Sequence, residues 1–209
     1  MKNMLDTDFL IFDLGNVIID IDYKKSFDLI SSQISHDLHY KVQKFYLTDF
    51  HLNYEKGLID SATFRNEVRE YFEQNWDDEK VDLIWNSLLG EIPSERLKLI
   101  SSLKNKYQLG VLSNTNEIHI TALNEILKRD HQIENLDIIF HQVFLSHELG
   151  LSKPSREIYE KIVSELDTTP ERIIFFDDLE KNVKGAAAVG IRAVHVTGPS
   201  VIFDYLKNA

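Results

Sequence analysis

The chain has 209 residues, 43% of them apolar, no cysteine and a formal net charge of −11. Such an acidic surface does not attract nucleic acid or an anionic membrane, although a small anion can still meet a locally positive site. Disulfide and thiolate chemistry are absent. The N-terminal apolar run Phe9–Phe12 stops at Asp13, too short for a signal or a membrane span. The expectation is therefore a soluble, cytoplasmic protein with one large domain, or a core carrying a smaller one.

In chain order, residues 9–13 read as a buried strand, because a short apolar run is bounded by polar residues. From Tyr23 to Leu89 the periodicity becomes helical. Phe27, Ile30 and Ile34 share one face, Phe64, Val68, Tyr71 and Phe72 another, and Val81, Ile84, Trp85, Leu88 and Leu89 a third. The segment Tyr54-Glu55-Lys56-Gly57 breaks this stretch, and Asp60 or Ser61 can cap the helix that follows.

After Pro93, strand and helix alternate. Ser94 can cap a helix carrying Leu97, Ile100 and Leu103, and a strand follows at Leu109–Leu112. A helix over 117–128 leads to a strand at 143–145, and Ile158, Ile162 and Leu166 mark the next helix. Beyond the turn at Thr169-Pro170 come a strand at 173–176, a small-residue helix around 185–188 stopped by Gly190, a strand at 193–196 and a helix near 201–206. Alternating βα units with apolar strands predict a doubly wound parallel α/β sheet, interrupted after its first strand by a helical insertion. The expected division is a core of residues 1–19 and 93–209 and a cap of residues 20–92.

Four segments place polar groups where the apolar runs end. They are Asp13-Leu14-Gly15-Asn16, then Ser113-Asn114, then Lys153-Pro154, and finally Asp177-Asp178. Ligands of doubly wound sheets bind beyond the carboxyl ends of the strands. A carboxylate, a hydroxyl, a lysine and paired carboxylates gathered there are what metal-assisted attack on a phosphate requires. Asp13 can attack phosphorus and split a difficult hydrolysis into two steps. Ser113 and Asn114, read as following a strand and opening a helix, can hold an anion. Lys153 can neutralise the nucleophile and the incoming phosphate. Asn182 can orient the Asp177/Asp178 pair, and Asn116 and His119 read as structural.

With its four motifs in order, the whole chain resembles the haloacid dehalogenase-like hydrolases. Residues 12–18 and 112–116 are similar to the sugar-phosphate phosphatase branch that acts on α-D-glucose 1-phosphate. The resemblance implies a Rossmann-like core under a small helical cap. It also implies an aspartyl-phosphate on Asp13, and Mg²⁺ held by Asp13, the Gly15 carbonyl and Asp178, with Asp177 outside the ligand set or bound through water. Phosphate would lie against Ser113, Asn114 and Lys153, and the partner would be a small phosphorylated metabolite. Tyr54, Glu55 and Lys56 are the cap residues expected to face the site.

Gly15 departs from the pattern. Phosphatases of this superfamily carry there an Asp that protonates the leaving oxygen. Its loss leaves three readings: a phosphatase whose leaving group needs little protonation or that recruits another acid, a metal-independent 2-haloacid dehalogenase, and a weakly active phosphate-binding regulatory protein. Asp20, Asp22 and Glu55 are the candidates for a replacement acid. The metal-type pair Asp177-Asp178 favours the phosphatase.

Overall fold

The computed structural model describes Met4 and residues 6–207. Five strands, β1 (Phe9–Phe12), β2 (Gln108–Ser113), β3 (Gln142–Leu145), β4 (Ile173–Asp177) and β5 (Arg192–His195), form one parallel sheet in the order β3-β2-β1-β4-β5. β1 lies at the centre, with Phe12 level with Val111 on one side and Phe176 on the other. Because side chains alternate along a strand, Leu10 and Phe12 enter one core and Ile11 the other. The first core is closed by the helices Ser94–Leu103, Glu117–His131 and Ser200–Leu206; the second by Arg156–Glu165 and Glu180–Ala188. Burial on both faces is why β1 and β4 read as unbroken apolar runs.

The insertion has a core of its own. Ile30, Phe45, Phe64, Phe72, Ile84 and Trp85 pack together, with Ile118 of the sheet domain's long helix at the edge. Its main helices are Tyr23–Ser31, Asp49–Glu55, Ser61–Phe72 and Asp78–Asn86. The two crossings between the layers run side by side: Ile21 bridges Leu89, Asp20 N–H donates to the Glu91 carbonyl, and Gly90 N–H donates to that of Asp20. That pairing ends the last inserted helix at Asn86, so Leu88 and Leu89 lie beyond it rather than on its face.

Other boundaries differ from expectation. Asp13 lies one residue past β1, while Ser113 is the last residue of β2. The helix after β2 begins at Glu117, capped by the Asn116 side chain on His119 N–H, so Ser113 and Asn114 do not open it. Asp60, not Ser61, caps the helix Ser61–Phe72. Pro93 occupies the cap position before Ser94, and Ser94 is the first helical residue. Among the described residues no helix is long and apolar enough to cross a membrane.

Candidate active site

The polar ends of β1, β2 and β4 converge with the Lys153-Pro154 segment at the carboxyl edge of the sheet. Asp13 is buried, and its Oδ1 accepts from Leu14 N–H at 2.7 Å and Lys153 Nζ at 2.9 Å. Its Oδ2 takes no hydrogen bond from the described residues. Asp177, wholly buried, is saturated: Lys153 Nζ (2.8 Å) and Asn182 Nδ2 reach Oδ2, while Leu179 N–H (2.8 Å) and the same amide reach Oδ1. Asp178 accepts from Asn16 Nδ2 at 2.9 Å on Oδ2, and Oδ1 is unengaged.

Lys153 spends its three ammonium protons on Asp13, Asp177 and the Leu112 carbonyl (2.9 Å). Its main chain is clamped by Asn114, whose Oδ1 accepts from Lys153 N–H (2.8 Å) and whose Nδ2 donates to the Lys153 carbonyl (2.9 Å). The Asn114 amide thus positions Lys153, and it is the Asn114 main-chain N–H that can meet an anion. The hydroxyl of Ser113 and the main-chain N–H of Asn114 have no partner among the described residues.

The charges are unbalanced. One ammonium faces three carboxylates whose oxygens lie within 4.8 Å of one another. Burial pushes the Asp13 carboxyl up to about 6, against the opposing pull of Lys153. Burial also raises Asp178, against the hydrogen bond from Asn16. Burial alone would lower Lys153, yet Asp13 and Asp177 hold it above its ordinary value. A divalent cation would neutralise the set. Hard oxygen donors suit Mg²⁺, and the unengaged atoms are one oxygen each of Asp13 and Asp178 and the Gly15 carbonyl. The donor set therefore fits that ion, with the saturated Asp177 excluded from direct ligation.

Sequence reasoning passed over several residues here. Asn16 adopts a left-handed conformation (φ 55°), which Asn tolerates better than most side chains. That turn aims its Nδ2 at Asp178 and its Oδ1 at Ile21 N–H (3.1 Å). The signal available was an Asn directly after a glycine in a tight turn. Tyr23, half-exposed, feels the charges of Glu55, Asp178 and Asp13, which together with burial push its phenol up and keep it protonated. Of the three candidate acids, Asp20 is paired with Arg96 at 2.7 Å and Asp22 caps its own helix through Lys25 N–H. Burial raises the Glu55 carboxyl, but the hydrogen bond from His51, with the charges of His51, His119 and Lys153, outweighs it and leaves the group below its ordinary value. Tyr54 is turned away: its hydroxyl bonds Ser61 and Ile118 N–H. Lys56 lies half-buried in the same turn. Asn116 and His119 are structural, with Asn116 Oδ1 accepting from Trp85 Nε1 (3.1 Å) and His119 stacked on that indole at 4.6 Å.

Known proteins resemble this chain in sequence and fold. The chain matches the model of the haloacid dehalogenase-like hydrolases over residues 7–190. It is 24% identical over 176 residues to a D-ribitol-5-phosphate phosphatase of Bacteroides thetaiotaomicron, covering 83% of this chain and 84% of that one. It is 22% identical to a phosphorylated carbohydrates phosphatase of Thermotoga maritima, covering 89% and 83%. A HAD family enzyme of B. thetaiotaomicron, crystallised with magnesium and inorganic phosphate, superimposes with a TM-score of 0.83 at 31% identity, covering 90% of this chain and 93% of that one. An L-2-haloacid dehalogenase from Xanthobacter autotrophicus shares the fold at a TM-score of 0.63 and 16% identity, covering 91% and 77%. None of these relatives singles out glucose 1-phosphate. The chain belongs to the haloacid dehalogenase-like hydrolases, as an enzyme of their phosphatase kind.

Proposed function

We propose that this chain is a Mg²⁺-dependent phosphoric monoester hydrolase acting on a small phosphorylated sugar or polyol, with Asp13 as nucleophile. The observation that carries the reading is the asymmetry of the three carboxylates: Asp177 is filled by protein donors, whereas Asp13 and Asp178 each keep an oxygen unengaged. Asp13, Asp178 and the Gly15 carbonyl would hold the ion. When bound, Mg²⁺ supplies Lewis-acid polarisation and charge neutralisation for the phosphoryl group.

The protein's own part runs in two steps. An Asp13 oxygen attacks phosphorus, the bond from phosphorus to the alcohol oxygen breaks, and that oxygen takes up a proton from solvent water. Water then attacks phosphorus, gives up a proton, and releases phosphate as the bond from Asp13 to phosphorus breaks. Lys153 keeps Asp13 ionised and oriented throughout. Ser113 and the Asn114 N–H offer donors to the phosphate oxygens, and contact from Lys153 would require exchange of one present bond. The inserted helices act as the cap that covers the leaving group. A carboxylate site built for a cation also disfavours the dehalogenase reading, in which no metal takes part. Cytoplasmic location belongs to the same proposal.

A phosphate-release screen over sugar phosphates, polyol phosphates, nucleotides and acyl phosphates, with 2-haloacids as control, tests the reading. Release that needs Mg²⁺ and is lost in D178A is expected. Halide release that survives chelation would overturn it.

A further inference from the structure

Asn16 is an exposed residue with both ends of its side-chain amide committed. Nδ2 donates to Asp178 Oδ2 at 2.9 Å, across 162 positions of sequence, and Oδ1 accepts from Ile21 N–H at 3.1 Å. Exposure leaves it no packing role, so it acts through these two bonds. Its backbone is set for them: φ is 55°, and its N–H donates to the Ile19 carbonyl at 2.7 Å while Gly15 bridges Ile19. Asparagine tolerates that left-handed region and carries a donor and an acceptor on one short side chain. Aspartate would set another negative charge against Asp178, and glycine would keep the turn but lose both bonds.

Each partner of the amide is fixed from behind. Asp20 N–H and Asp22 N–H donate to the Glu91 and Leu88 carbonyls where the chain crosses between layers, and the N–H between them, that of Ile21, turns to Asn16. On the other side, the Asp177 carbonyl accepts from Val196 N–H at 2.9 Å, Leu179 N–H is held by Asp177 Oδ1, and His195 Nε2 donates to the Asp178 carbonyl at 2.9 Å. The main chain around Asp178 is therefore pinned. The freedom left is rotation of its side chain, and the bond from Asn16 restrains that at Oδ2.

We propose that Asn16 is a positioning residue for the divalent cation: anchored on Ile21, its amide holds Asp178 by one oxygen and keeps the other for the ion. This rests on the hydrolytic reading above. A carboxylate held in place beforehand loses less freedom when it binds, and groups standing behind a ligand commonly set metal affinity by about 10–100-fold. The dependence runs both ways. An ion on Asp178 also steadies Asn16, and with it the Ile21 N–H.

The test measures the Mg²⁺ dissociation constant of wild type and N16G by titration calorimetry with inorganic phosphate present. Thermal unfolding without the ion, and phosphate release from an aryl ester as Mg²⁺ is varied, accompany it. Glycine keeps the left-handed turn free of strain and removes the amide. N16G should bind Mg²⁺ about tenfold or more weakly. Its unfolding temperature without the ion should stay near that of wild type, and release should approach the wild-type maximum at saturating Mg²⁺. Equal dissociation constants overturn the proposal. So does a lowered unfolding temperature with unchanged affinity, which marks a structural role. Should N16G fail to fold, the wild type decides: Mg²⁺ should slow hydrogen exchange at the Ile21 amide, and unchanged exchange there overturns the proposal. A wild type that binds no Mg²⁺ would overturn the cation of the hydrolytic reading, and the proposal falls with it.

Discussion

Ile21 stands over Gly15: a Cβ built on the glycine would come within 3.3 Å of Ile21 Cγ1. The space above the second residue after the nucleophile is thus filled by an apolar side chain, and Ile21 is held there by Asn16 Oδ1 on its N–H and by its bridge to Leu89. Without a proton donor the departing oxygen carries its developing charge alone, so rates should fall steeply as the leaving alcohol becomes less acidic. G15D by itself should flatten this dependence only weakly, because its carboxylate must displace Ile21. G15D combined with I21A should raise alkyl phosphates by up to about 10²-fold. Equal rates across a series from aryl to alkyl phosphates in the wild type would mean that another group already supplies the proton.

Tyr23 can soften that dependence in part, as a hydrogen-bond donor to the departing oxygen. Its ring packs edge-on to Tyr46 at 5.1 Å, and burial together with the charges of Glu55, Asp178 and Asp13 raises its phenol, which remains protonated. Y23F keeps the ring and removes only the donor. It should slow alkyl phosphates by about tenfold while leaving aryl phosphates nearly unchanged. Steady-state rates on the two ester classes check this.

Lys153 is the one cation among the buried carboxylates, bonded to Asp13 and Asp177 and 5.4 Å from the Phe175 ring centre. Replacing it by Met leaves two buried carboxylates uncompensated. K153M should cost about 3–5 kcal/mol in urea unfolding at neutral pH. Much of that loss should return in K153M/D177N, where one of the two charges has also gone.

His119 links stability to pH. Burial lowers its pKa from 6.5 to about 4. Its ring nitrogens are both engaged when neutral, Nε2 at 3.2 Å from the Trp85 carbonyl and Nδ1 at 3.2 Å from Asn116 Nδ2. The unfolded chain takes up the proton first, so this residue's contribution is intact above 6.5 and falls as the pH drops toward 4. The loss across that window should be on the order of 3 kcal/mol. H119F, which keeps the stack on Trp85, should flatten the slope of unfolding free energy there.

The sheet was readable because its central strands are buried on both faces and end on a polar residue, as in Phe9–Phe12 before Asp13 and Ile173–Phe176 before Asp177. The site's composition followed from those endings. What the residues do to one another was harder to read. The Asn114 amide clamps Lys153, 39 positions away, a pairing that no local pattern announces. The His51–Glu55 spacing is visible as one helical turn, but its direction depends on Ser146 and Gly57 meeting across two layers. The region 36–47 folds into short helical turns held by the aromatic packing around Phe45, which leaves no regular period in the sequence.

The central claim is that Asp13 becomes phosphorylated during turnover. Rapid quench with a phosphate-labelled sugar or polyol ester, followed by peptide mapping, tests it most directly. Label should appear on the peptide containing Asp13, disappear on chase with unlabelled ester, and be absent in D13N, which should not turn over. Steady turnover with no label on the chain, together with an active D13N, would contradict the account.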